Sequence, residues 1–274
     1  MSSRMAIITS KYDDVHNIKE LTTATIITIN DTKEYQTMPY NWDSISTLFH
    51  TFDKIILADT LCSNDQMIQG QPWKLTEMMI IILQHASKIY HKPLYRLEKQ
   101  RIVPIPFDVP TSELCSQFWK AYPPHKNDMN KKSVTSIQKV DIAVEKNTEE
   151  WVNEYFQWIQ KFTKGIIKVH TVSSTSSFHV LGWKKPLLTL ETNHHLEAYH
   201  ITEIKIKGGF LNREANVHCP IGRFWFVQSK NNSYLYTALT HFKPSLPWLV
   251  YRMSQGWIHR FVMYKFAKFV RKKT

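Results

Sequence analysis

The chain has 274 residues, 43% of them apolar, and carries a net charge of +12. That length and composition exclude a disordered or collagen-like chain and leave room for one large domain or two ordinary ones. The three cysteines, Cys62, Cys115 and Cys219, are widely spaced with no CxxC pair, which excludes a disulfide framework and points to a reducing, cytoplasmic setting.

The charge is unevenly placed. Residues 1–135 carry 15 Lys/Arg against 14 Asp/Glu, whereas residues 136–274 carry 20 against 9. Such asymmetry fits two units, the second with a basic face turned to solvent, to anionic lipid or to another acidic partner. The opening "MSSRMAIITSKYDD" has too short an apolar run for a signal peptide. No stretch is apolar for long enough to predict a transmembrane helix.

In chain order, 5–9 "MAIIT", 24–29 "ATIITI" and 54–58 "KIILA" are short β-branched runs that read as buried strands. Between the last two, 43–52 "DSISTLFHTF" reads as a short helix capped by Asp43 or Ser44. After Pro72, 73–91 reads as a longer helix, and "KPLYRL" follows as a strand. This alternation predicts a small α/β unit with a parallel sheet over 1–104. Six of the twelve prolines fall between Pro93 and Pro124, so 105–135 reads as a Pro-rich connector.

From 136 to 274 the pattern changes. "SIQKVDIAVE" alternates like a strand. "NTEEWVNEYFQWIQKF" reads as a helix capped by Asn147 or Thr148, with Trp151, Tyr155, Trp158 and Phe162 at helical spacing. Strands are predicted over 166–172, 178–183, 187–192, 196–207, 215–228 and 233–242, separated by turn signals such as "SSTSS" and "WKKP". Within the last strand, alternation puts Tyr234, Tyr236, Ala238, Thr240 and Phe242 on one face and Leu235, Thr237, Leu239 and His241 on the other. In "RFWFV" large residues occupy both faces, so one face needs a cover other than the terminal helix, either the N-terminal unit or a lipid surface. A terminal helix of about 25 residues begins after Pro247. The fold class expected is therefore α+β: an α/β parallel-sheet unit followed by an antiparallel-sheet domain gripped by a helix.

The order strand, helix, antiparallel strands, long terminal helix resembles the START-like (SRPBCC) helix-grip superfamily over about residues 136–272. The stretches that carry the resemblance are "VDIAVEKNTEEWVNEYF" and "TALTHFKPSLPWLVYRMSQGWIHRFV", where a late strand ends in F-x-P and runs into the helix. The chain also looks like members of that superfamily that follow a nucleotide-binding-type domain. The resemblance implies an apolar cavity between helix and sheet that holds a lipid, sterol, polyketide or similar molecule. Candidate lining residues are Phe210, Trp225, Tyr236, Phe242, Tyr251, Trp257 and Phe261, each weighed against plain core packing. In the terminal helix, Arg260, Lys265, Lys268, Arg271, Lys272 and Lys273 form a basic tail suited to an anionic membrane or acidic partner, or to the negative end of a helix dipole.

Catalytic signals are sparse. No Gly-rich loop follows the first strand, so a conventional NAD or ATP site is not expected. "FDKIILADTLCSND" and the helix after it place Asp59 and Glu77 in an order that resembles nucleoside deoxyribosyltransferase-like domains, without the glycines of that pattern. The resemblance implies an acid at a helix start as nucleophile. A helix N-terminal charge is the competing reading. His194, His195, Glu197 and His200 show no clear metal-ligand spacing. Cys219 beside His218 makes a zinc site conceivable, but scattered surface histidines are the favoured reading and no metal or cofactor is expected. Arg213, Glu214 and His218 could line a pocket mouth. The leading expectation is non-enzymatic binding of a hydrophobic small molecule or lipid in a helix-grip cavity, with an anionic membrane surface as one place for it. The alternatives are a nucleoside- or nucleotide-acting enzyme in the first unit, or a basic interaction module for an acidic partner or nucleic acid, of which nucleic acid is the less expected because the basic residues form no recognised module.

Overall fold

A computed structural model describes residues 4–9, 24–28, 41–58, 67–69, 73–98, 101–106, 134–144, 146–192, 200–212, 222–229, 233–242, 244–245 and 255–273. Its architecture is α+β, with two separate sheets. The chain divides into unit 1, Met1–Gln66 and Gln71–Met129, and unit 2, Met67–Gly70 and Asn130–Thr274.

Unit 1 contains β1 (Met5–Thr9), β2 (Thr25–Thr28), α1 (Trp42–Thr51), β3 (Lys54–Leu57), α2 (Trp73–Ile89), β5 (Leu94–Glu98) and β6 (Arg101–Ile105). The sheet order is β2-β1-β3-β5-β6. The first four strands are parallel. Ile55, Ile56 and Leu57 on β3 are fully buried, as a central strand covered on both faces requires. The sheet is mixed rather than purely parallel, because β6 pairs antiparallel with β5. Pro104 lies in that edge strand, where its missing N–H costs no ladder bond. The α1 cap is Asn41, not Asp43 or Ser44. Its side chain accepts from the Ser44 N–H at 2.8 Å, while Asp43 lies in the first turn. Tyr90, just past α2, stacks on Phe49 of α1 at 5.5 Å and donates to Ser46 Oγ at 2.8 Å, tying the two helices.

Unit 2 contains β4 (Met67–Gln69), β7 (Val134–Asp141), α3 (Thr148–Phe162), β8 (Ile167–Val172), β9 (Thr175–Val180), β10 (Leu188–Thr192), β11 (Ile201–Gly208), β12 (Arg223–Gln228), β13 (Tyr234–Phe242) and α4 (Gln255–Lys273). The sheet order is β4-β7-β13-β12-β11-β10-β9-β8. Every pairing from β7 to β8 is antiparallel. The short β4 is added at the edge, parallel to β7. β9 starts three residues earlier than its sequence pattern suggests. Ser173 takes φ +52°, closing a tight turn that lets Thr175 pair with Val172. Residues 107–133 and 246–254, which cover most of the expected connector and the expected start of the terminal helix, lie outside the described residues.

α3 begins with a full capping box. Asn147 accepts from the Glu150 N–H, and Glu150 accepts from the Asn147 N–H, each at 2.8 Å. Thr148 plays a different part, accepting from Thr202 on β11 at 2.8 Å. The predicted aromatic stripe forms: Trp158 stacks on Phe162 at 4.7 Å and on Tyr155 at 6.1 Å. α3 and α4 bury their apolar sides in one cluster with β7, β9, β10, β11, β12 and β13. None of the described helices is long and apolar enough to cross a membrane.

Candidate functional site

The strand register divides unit 2's sheet into two faces of different chemistry. The face beneath the helices carries Val140 of β7, Ile204 and Ile206 of β11, Phe224 and Phe226 of β12, and Leu235 and Leu239 of β13. Tyr155 of α3 meets Phe224 at 5.4 Å and Phe226 at 6.1 Å. Burial pushes the Tyr155 phenol far above its ordinary pKa, so it stays neutral.

Two hydroxyls interrupt this apolar face. By alternation Ser136 belongs with Val140, and Thr237 lies between Leu235 and Leu239. Ser136 stands opposite Leu239, and Thr237 opposite Gln138, so the two hydroxyl residues are diagonal neighbours. Ser136 is 2% exposed and Thr237 1%. Neither Ser136 Oγ nor Thr237 Oγ1 has a hydrogen-bond partner among the described residues. Each orphaned hydroxyl costs about 1–3 kcal/mol. On this face β7 from Ser136 to Val140, β12, and β13 from Leu235 to Leu239 supply hydroxyls, amides and apolar groups, and no acid, base or thiol.

The opposite face is also buried, although the sequence left its cover open between protein and lipid. Ile137, Ile201, Trp225, Val227, Tyr236 and Ala238 are all at most 1% exposed. At its centre Arg223 Nε donates to Glu203 Oε1, in a pair almost closed to solvent. Trp225 Nε1 donates to Thr240 Oγ1 at 3.1 Å. The Lys139 ammonium lies over the ring of Tyr234 at 4.0 Å.

The seven expected lining residues are not gathered around one space. Trp225 and Tyr236 lie on the sheet face away from the helices. Phe242 lies on the helix side, because the β13–β7 register shifts between Leu239 and Phe242. This bulge separates it from Tyr236, with which simple alternation groups it. Phe210 follows β11 and is 49% exposed. Phe261 is an exposed residue of α4, 6.1 Å from Phe162. Tyr251 and the side chain of Trp257 lie outside the described residues.

The basic tail is partly engaged within unit 2. Lys273 and Lys146 both bind the Glu154 carboxylate, the latter at 2.5 Å, and Arg271 lies 3.9 Å from Asp141. Lys265 lies over the Phe261 ring at 5.2 Å. Lys268 and Lys272 are exposed, and the side chain of Arg260 is outside the described residues.

In unit 1, Glu77 is buried in α2, one residue before a run of buried Met, Ile and Leu. Asp59 lies outside the described residues, as do His194, His195, Glu197, Arg213, Glu214, His218, Cys219 and the two other cysteines. Among the described residues no group of three or more His, Cys, Asp or Glu could hold a metal.

Sequence reasoning passed over Ser136 and Thr237. A signal for Thr237 was present, since it is the polar residue between two leucines on one strand face. Ser136 becomes its neighbour only through the pairing of β7 with β13. No protein-family model matches the chain, and a search of curated proteins finds no similar sequence.

Proposed function

We propose that unit 2 binds a hydrophobic small molecule or lipid between the terminal helix and the β7–β13 part of the sheet, without transforming it. The orphaned hydroxyls of Ser136 and Thr237 carry this reading. They are two hydrogen-bonding groups in an apolar interior, placed to meet one polar group on an otherwise apolar ligand. Binding rather than catalysis is the reading we favour because, among the described residues, that face offers no proton-transfer group and no activated nucleophile. The helix-grip resemblance points the same way.

The test is native mass spectrometry of gently purified protein, beside mass spectrometry of its organic-solvent extract. A stoichiometric apolar molecule bearing a hydroxyl or carbonyl is expected. Ser136→Ala and Thr237→Val should each weaken its retention by about fivefold, the worth of one net hydrogen bond. An empty protein that both substitutions stabilise would overturn the reading. The hydroxyls would then be an uncompensated feature of the core.

A further inference from the structure

A second surface of unit 2 carries an inference that goes beyond ligand binding and does not depend on it. Most side chains as large and apolar as Trp, Phe, Leu and Ile are buried here, yet Ile166, Leu181, Trp183 and Phe210 are 58%, 67%, 50% and 49% exposed. All four lie at one end of the eight-stranded sheet, where β8 begins, β9 turns into β10 and β11 ends. Hydrogen bonds hold them together: the Leu181 N–H donates to the Ile166 carbonyl and the Phe210 N–H to the Pro186 carbonyl, each at 2.9 Å. The Trp183 and Phe210 rings meet edge-on at 5.2 Å.

The backbone is shaped to present these groups. α3 ends with Lys164 and Gly165 both at positive φ, and the Gly165 N–H donates back to Gln160 at 2.8 Å, which turns the chain into Ile166. Gly209 takes φ +120°, and a Cβ there would come within 2.6 Å of Leu188 Cα. Only glycine allows the chain to approach the β9–β10 loop so closely, and that approach seats Phe210 beside Trp183.

The charge along this segment has one sign. From Lys161 to Leu190 the chain has five lysines and no acid. Lys164, Lys184 and Lys185 are exposed on the same loops as the apolar groups. We infer that this end of unit 2 docks on an anionic phospholipid surface, with Trp183 and Phe210 at headgroup level, Ile166 and Leu181 reaching the acyl boundary, and the lysines against lipid phosphates. The aliphatic pair favours lipid over single-stranded nucleic acid, since bases stack on rings but gain little from Leu and Ile.

Co-sedimentation of the full chain with vesicles decides it. Binding to phosphatidylcholine vesicles containing phosphatidylserine should exceed binding to phosphatidylcholine alone and should weaken as salt rises. Replacing both Lys184→Gln and Lys185→Gln should lower the partition coefficient about thirtyfold. Trp183→Ala should lower it at every phosphatidylserine content. Arg271→Gln with Lys272→Gln, at the far end of the terminal helix, should change it least. Partition that ignores Trp183 and the loop lysines would overturn the proposal, as would a loss concentrated in the Arg271 and Lys272 variant. Absent vesicle binding would overturn it too, whether the rim then captures single-stranded polyuridylate or drives self-association that Trp183→Ala abolishes.

Discussion

The ring of Phe266 on α4 meets the ring of Tyr155 on α3 edge-on, with centroids 5.0 Å apart and planes at 79°. Trp158 closes on the same phenylalanine at 5.2 Å. Phe266 is fully buried, and Tyr155 continues the contact into the sheet through Phe224. One side chain therefore joins the terminal helix both to the preceding helix and to the strands beneath it.

Phe266→Ala should cost about 3–5 kcal/mol, because the surrounding rings leave a cavity that cannot fully collapse. Phe266→Leu should cost less than half of that. Urea unfolding of unit 2 would show the difference as a lower midpoint at unchanged slope. Equal, small effects from both variants would mean that α4 is held chiefly elsewhere.

The second prediction concerns acid stability. Burial acts to raise the Glu154 carboxyl pKa, but the ammonium groups of Lys146 and Lys273 outweigh it and hold the group below its ordinary value of 4.5. A carboxylate depressed by folding stabilises the protein above its unfolded pKa, and that contribution fades as pH falls through the folded value. The Tm should therefore drop as pH is lowered from about 4.5, and part of the drop should vanish in Glu154→Gln. At neutral pH that variant should lose about 1 kcal/mol, since Lys273 is half exposed and the pairing is screened. Parallel pH profiles for the two proteins would assign the acid sensitivity to other groups.

The third prediction separates the two faces of the sheet. Arg223→Met takes the guanidinium away from the fully buried Glu203 carboxylate and should cost about 3–5 kcal/mol. Combining it with Glu203→Leu should recover much of that loss, because removing both charges removes the desolvation cost as well. A double-mutant cycle by thermal unfolding measures the coupling. A double variant no more stable than Arg223→Met alone would show that Glu203 is held by its other neighbours rather than by the arginine.

Much of the secondary structure was legible in the local sequence. The Asn147–Glu150 capping box, the Trp151-to-Phe162 stripe and the alternating strands each encode themselves within a few residues, because hydrogen-bond geometry and side-chain period are local properties. Local signals failed where a choice depended on a distant partner. β4 is three residues long and exists through pairing with β7. Ser173 gave no glycine signal for its positive φ.

The candidate site was the less legible part. The aromatic residues singled out from the sequence are chemically alike, and composition cannot tell which side of a sheet each one serves. The bulge between Leu239 and Phe242 moves Phe242 to the helix side, while Trp225 and Tyr236 stay on the other. The sequence by itself determined which residues alternate, cap and stack, and that the second half is basic. Tertiary structure alone decided that Ser136 stands diagonal to Thr237, that Arg223 finds Glu203 and that Trp183 stands beside Phe210. Those neighbours are set by strand register and by a close backbone approach at Gly209, and a one-residue change of register exchanges the two faces.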